Sequence, residues 1–137
     1  MFNLGVERQV VVGAAIVRNG RVLAARRTAP ASAAGRWEFP GGKVEPGEAE
    51  AESLVREVEE ELGLRIRVEQ WLSGAEEIGE HYLLKVAVAA IEGGEPSPTE
   101  HDELRWLGAD ELGQVDWLDG DRPFLSELSE RLSTLKE

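Results

Sequence analysis

Apolar and polar positions alternate along this chain in two distinct periods. Gln9 to Val17 is a continuous β-branched and alanine-rich run, the pattern of a buried strand. Asn19-Gly20 follows, a favoured two-residue hairpin turn, so Arg21 to Arg27 is predicted to return as the partner strand. Thr28 to Gly35 is small and polar and predicts a loop. Arg36 to Phe39 predicts a short strand stopped by Pro40, and Gly41 to Gly47 a loop of turn formers. The period then changes. Ala51, Leu54, Val55, Val58 and Leu62 recur at helical spacing, and Gly63 sits where a left-handed cap belongs. Arg65 to Leu72 and His81 to Ile91 predict strands, the second apolar enough to be central. Gly93-Gly94, Pro96 and Pro98 mark a loop, Glu103 to Leu107 a short strand, and Ala109 to Leu112 one turn of helix. Leu125, Leu128, Leu132 and Leu135 stripe a second helix that opens near Pro123. Strands before, between and after two helices predict an α/β fold, a mixed sheet with helices packed on its faces.

Composition narrows the possibilities. The 137 residues suit one domain, and 42% hydrophobic content allows a buried core. No run reaches the roughly 18 to 20 apolar residues of a membrane span. Met1-Phe2-Asn3-Leu4-Gly5 lacks the basic-then-apolar pattern of a signal peptide. The absence of cysteine excludes disulfides, thiolate metal sites and a cysteine nucleophile, and a cytoplasmic protein fits best. A net charge of -12 argues against a nucleic acid polymer as partner, because phosphate backbones are held by basic surfaces. It leaves room for a small anionic substrate bridged to carboxylates by a divalent cation. For most of the surface, acidity serves solubility. Monomer and homodimer both remain open.

The chemistry concentrates on the first helix. Glu57, Glu60 and Glu61 stand at i, i+3 and i+4 and share one face, with no base among them. Three like charges so close repel unless a cation lies between them, and a hard divalent ion with oxygen ligands resolves the repulsion. A solvated acidic face would give the same spacing, and on the helix alone the two readings stand level.

The surroundings separate them. Gly42-x5-Glu48-x7-Arg56-Glu57-Val58-x-Glu60-Glu61-x-Gly63-Leu64 resembles the signature of the Nudix hydrolases at every defined position. Gly35 to Lys43, the Arg26-Arg27 pair and Leu104-Arg105-Trp106-Leu107 extend the resemblance to MutT-like nucleoside triphosphate pyrophosphohydrolases, from about Val10 to Leu132. The resemblance implies an α/β/α sandwich with a curved mixed sheet, one helix carrying the signature and a C-terminal helix. It implies Mg2+, with Mn2+ as a substitute, held by Glu57, Glu60, Glu61 and the Gly41 carbonyl. Glu48 becomes a further ligand or the orienting partner of Arg56. Glu103 follows the Gly/Pro loop where MutT-like members carry a catalytic or metal-binding glutamate. It is therefore the expected general base, with Glu60 and Glu61 as fallback and Glu100 close enough to be confused with it. The implied reaction is attack of water on a nucleoside triphosphate, yielding the monophosphate and pyrophosphate. A non-catalytic nucleotide-binding module would be expected to lack some of these glutamates, and none is missing.

Base preference turns on Asp121, at the position where enzymes acting on oxidised guanine nucleotides typically present asparagine. An ionised carboxylate only accepts hydrogen bonds and suits the cytosine N4 amino group. CTP, dCTP or 5-substituted cytosine triphosphates are thus expected first and 8-oxo-dGTP second, although Asp121 at a helix start also reads as an N-cap. Arg27 and Lys43 are candidate phosphate contacts, Arg27 also a contact to the base edge. Phe39, Tyr82 and Phe124 are candidate stacking partners, although aromatics in a small domain are usually core. Trp37 reads as structural. His81 and His101 lack a second histidine at ligand spacing and are set aside.

Overall fold

The computed structural model describes residues 7–135. The signal-peptide reading falls on Met1 to Gly5, outside the described residues. Strand β1 spans Gln9–Arg18, β2 Arg21–Arg27, β3 Trp37–Glu38 and β4 Gly41–Lys43. Helix α1 spans Glu50–Leu62, followed by β5 Arg65–Trp71, β6 Glu76–Ile78, β7 Tyr82–Gly93 and β8 His101–Leu107. Two 3-10 turns, Ala109–Gln114 and Arg122–Phe124, lead into α2, Leu125–Leu135.

The eight strands make one mixed sheet. β1 and β7 run parallel from Gln9–Tyr82 to Val17–Ala90, and the other pairings are antiparallel. Parallel neighbours are covered on both faces, which accounts for the unbroken apolar runs of these two strands. Leu54, Val58 and Leu62 of α1 close one face over Val12, Ile16 and Leu23. Leu128 and Leu132 of α2, with Trp117 and Phe124, close the other over Ala15, Val86 and Leu107. The side chain of Leu135 lies outside what is described.

One departure from regular pairing builds the site. The Asn19-Gly20 turn has positive φ at both residues, 55° and 73°, and joins β1 to β2. The two strands pair only at Val17–Val22 and Arg18–Arg21 before they diverge. The segment Trp37–Lys43 enters the gap: β3 pairs with β2, β4 pairs with β1, and the Pro40 carbonyl between them accepts from the Ala14 N–H (2.8 Å). Gly41 to Lys43, expected as loop, is therefore a short strand. It lies so close to β1 that a Cβ at Gly41 would overlap the Val12 carbonyl.

Two further differences follow from local chemistry. β6 is too short and acidic to show an alternation. β8 begins at His101 rather than Glu103 because the preceding loop is docked on the end of α1. There Ser97 and Thr99 donate backbone N–H groups to the Leu62 and Glu61 carbonyls that the helix leaves unpaired. Gly63 ends α1 at φ 69°, as expected.

Candidate active site

Arg56 organises the signature helix. Its Nε and Nη2 donate to the two oxygens of Glu48 (2.7 and 3.0 Å), Nη1 donates to Glu57 (3.0 Å) and Glu60 (3.3 Å), and Nη2 also reaches the Lys43 carbonyl (3.3 Å). Glu48 also accepts from the Glu45 backbone N–H (3.1 Å). The guanidinium first, and that N–H second, hold the Glu48 carboxyl down at about 2. Glu48 is thus an ionised anchor for the loop, as its pairing with Arg56 predicts.

The three signature glutamates do not share one environment. Glu60 is 59% exposed and leans on Arg56. Glu57 is half-buried under Gly42, where a Cβ would strike its carboxylate. Glu61 is only 7% exposed. Burial, and then the charges of Glu38, Glu57 and Glu100, push its carboxyl up to about 8. Near neutral pH it keeps a proton unless a cation replaces it.

Glu61 faces a cleft of about 320 Å3 walled by Arg27, Glu38, Gly41, Glu100 and His101. The cleft receives Glu100 and not Glu103. Thr28 Oγ1 donates to the Glu100 carbonyl (3.2 Å), and the docked loop carries Glu100 in beside α1. One residue further on, β8 bulges: Arg27 pairs with His101 but Arg26 pairs with Glu103, leaving Asp102 extra. Glu103 is paired with Arg26 (3.3 Å), whose guanidinium lies 5.9 Å from the Trp37 ring on the α2 side of the sheet. The expectation that Glu103 joins the signature glutamates is not met. Spacing alone could not separate the two.

Glu38 and His101 were not singled out as site residues, yet both line the cleft. Glu38 accepts from Arg27 Nη1 (3.0 Å) at one oxygen and lies 2.9 Å from His101 Nε2 at the other. The alternation Trp37-Glu38-Phe39 was the available signal: with two aromatics turned into the α2-side core, the acidic residue between them must face α1.

A divalent cation fits this cleft. Its donors are oxygens, and Glu61 and Glu100 have no cationic partner among the described residues, since Arg56 is engaged with Glu48, Glu57 and Glu60 and Arg27 with Glu38. Among the described residues no three acidic or histidine side chains form a ready cage. A hard divalent ion held by one or two carboxylates completes its shell with water and substrate phosphates.

A second, largely apolar pocket of about 760 Å3 adjoins the first. Val11, Ile78, Leu84 and Leu118 line it, with Lys43 and Tyr82 in cation–π contact (5.3 Å). Phe39 also lines it, its ring 4.8 Å from Trp117, whereas Phe124 and Trp37 belong to the core. Asp121 lines it too, 5% exposed, and makes no N-cap hydrogen bond. Burial foremost, then Glu38, pushes its carboxyl well above the usual range, opposed by the Phe39 backbone N–H and Arg27. The shift favours the protonated form over the ionised acceptor expected from the sequence, and a protonated carboxyl both donates and accepts, as an asparagine would.

The sequence profile of the NUDIX domain matches residues 7–128. The chain belongs to the Nudix family. Its relatives place it among the MutT-like members. It is 40% identical over 131 residues to a Mycobacterium tuberculosis (strain H37Rv) protein named putative 8-oxo-dGTP diphosphatase 2, covering 91% of each chain. It is 35% identical over 117 residues to the CTP pyrophosphohydrolase of Escherichia coli K12, covering 84% of this chain and 87% of that one. The solution structure of the E. coli ORF135 protein superposes with a TM-score of 0.81 at 32% identity, covering 99% of this chain and 98% of that one. The chain is therefore a Nudix hydrolase, an enzyme class that acts on small nucleotides and generally uses a divalent metal. No helix among the described residues is long and apolar enough to cross a membrane.

Proposed function

We propose that residues 1–137 form one Nudix domain that cleaves (deoxy)nucleoside triphosphates to the monophosphate and pyrophosphate, with Mg2+ as its metal and cytosine nucleotides as preferred substrates. The observation that carries this reading is Glu61, buried against Glu57, Glu38 and Glu100 at a cleft that opens into an apolar pocket. Glu57, Glu61 and the Gly41 carbonyl, with Glu100, are the groups that would hold the metal, and Glu60 stands at its solvent side. When bound, the ion neutralises phosphate charge and lowers the pKa of a bound water. Arg56 and Glu48 hold the loop and helix in register, so the carboxylates stay aligned. Glu100, in place of Glu103, takes the proton of the attacking water at its carboxylate. Arg27 and Lys43 contact phosphate, Tyr82 and Phe39 flank the base, and Asp121 accepts from the cytosine N4 amino group while donating to N3.

A second reading, 8-oxo-dGTP, is favoured by the 40% identical relative and by the raised Asp121 carboxyl, whose protonated form pairs equally with a guanine edge. Steady-state rates on CTP, 5-methyl-dCTP, dGTP and 8-oxo-dGTP at low concentration decide between them. A highest kcat/KM on a cytosine nucleotide is expected; a preference for 8-oxo-dGTP selects the second reading, and no turnover of any of the four refutes both.

A further inference from the structure

Among the described residues, three line both cavities: Arg27, Glu38 and Gly41. A nucleotide with phosphates in the cleft and base in the apolar pocket must pass its sugar across them, so this inference rests on the reading above. Arg27 offers only donors and Gly41 only its backbone. Glu38 is the one shared side chain that accepts. It is 15% exposed at the side chain, and Arg27 and His101 each take one of its oxygens. Every carboxylate oxygen has two lone pairs, so each keeps one for a further donor. The His101 side chain is 4% exposed and its Nδ1 is buried without a partner, so Nε2 against Glu38 is the ring's one polar contact among the described residues. A carboxylate pinned from two sides and still able to accept is suited to hydroxyl donors.

We infer that Glu38 is a specificity-determining residue that accepts hydrogen bonds from the sugar hydroxyls of the nucleotide, with Arg27 and His101 as its positioning residues. Carbon-bound hydrogens cannot replace a hydroxyl donor to an ionised acceptor in a partly desolvated wall, so a sugar lacking both hydroxyls is discriminated against. The effect is independent of the base and of the metal.

The test is isothermal titration of the metal-free full chain with cytidine 5′-monophosphate and with 2′,3′-dideoxycytidine 5′-monophosphate, repeated with the guanosine pair. Loss of both hydroxyls is expected to weaken binding to the wild type by about tenfold or more in both series, the scale of a hydrogen bond to a charged group. In Glu38→Ala the two members of each pair bind within about twofold of each other. His101→Gln, which keeps a donor for Glu38, retains the discrimination, and His101→Phe loses most of it. Equal wild-type binding of the hydroxylated and dideoxy nucleotides overturns the inference whether or not any variant folds. Unchanged discrimination in Glu38→Ala, or no binding of any monophosphate, also overturns it. Hydroxyl discrimination without Mg2+-dependent triphosphate turnover would end the hydrolase reading and leave this one standing; turnover without discrimination would do the reverse.

Discussion

Where the sheet meets α1, the cleft is walled by Glu38, Glu61 and Glu100, and burial first, then repulsion from Glu38, Glu57 and Glu100, pushes the Glu61 carboxyl up to about 8. Where the sheet meets the turn before α2, the larger pocket is walled by Val11, Ile78, Leu84 and Leu118 around the single buried acid Asp121. Both carboxyls are raised mainly by burial, but they differ in what surrounds them. Glu61 stands within a set of carboxylates that a divalent cation could discharge together. Asp121 has only the Phe39 N–H and Arg27 to offset burial and the charge of Glu38, and its carboxyl stays raised well above the usual range. On the proposed reading, one region is completed by a metal and the other takes the base.

The largest effect is expected in the cleft. Glu61→Gln is predicted to lower kcat by about 10³-fold, within the range for a general acid–base or metal-holding carboxylate, while circular dichroism shows an unchanged fold. The smaller cleft variant, Arg56→Ala, frees Glu48 and Glu57 together and should cost about 10- to 100-fold in activity, the usual penalty for losing an orienting partner. Glu100→Gln should lower kcat to a similar degree, and Glu103→Gln should stay within about twofold of the wild type, since its carboxylate pairs only with Arg26 on the other side of the sheet. Equal losses in the two would erase the distinction between the cleft wall and the outer strand.

Protonation sharpens the comparison in a different measurement. A carboxyl whose folded pKa lies above its unfolded value stabilises the protein fully below the unfolded pKa, and that contribution is lost as pH rises through the folded one. For Glu61 the window runs from about 4.5 to about 8. The metal-free protein should therefore lose stability across it, by up to about 1.4 kcal/mol per pH unit for each such group. Glu61→Gln should flatten part of the slope, and millimolar Mg2+ should raise the melting temperature more at pH 8 than at pH 6. In the pocket, Asp121→Asn replaces a buried carboxyl of raised pKa by a neutral amide of similar shape and is the mildest change. Base preference should shift by about tenfold at most, with kcat on the best substrate unchanged, as read from kcat/KM across the four triphosphates.

The sequence displayed some of this architecture and concealed the rest. The stripe Leu54, Val58, Leu62 and the cap at Gly63 announce α1, because a helix packed on one face repeats its apolar positions. The two long runs announce β1 and β7, because neighbouring parallel strands are covered on both sides. Glu100 was hidden because its position depends on Ser97 and Thr99 docking on the end of α1 and on a one-residue bulge at Asp102, and neither leaves a period. Glu38 was hidden because β3 is only two residues long, so the alternation Trp37-Glu38-Phe39 is readable only once both aromatics are known to face the α2-side core. The raised carboxyl of Asp121 was hidden because a charge assignment from sequence assumes water, and burial is a property of the folded pocket.

The most direct measurement is a Mn2+ titration followed by electron paramagnetic resonance at pH 8, on the wild type and on the Glu57→Gln/Glu61→Gln double variant. The wild type should bind the ion and, with a nucleoside triphosphate present, bind it more tightly, and the double variant should lose that binding with its fold intact. Equal Mn2+ binding by the two proteins would contradict a cleft organised around a divalent cation.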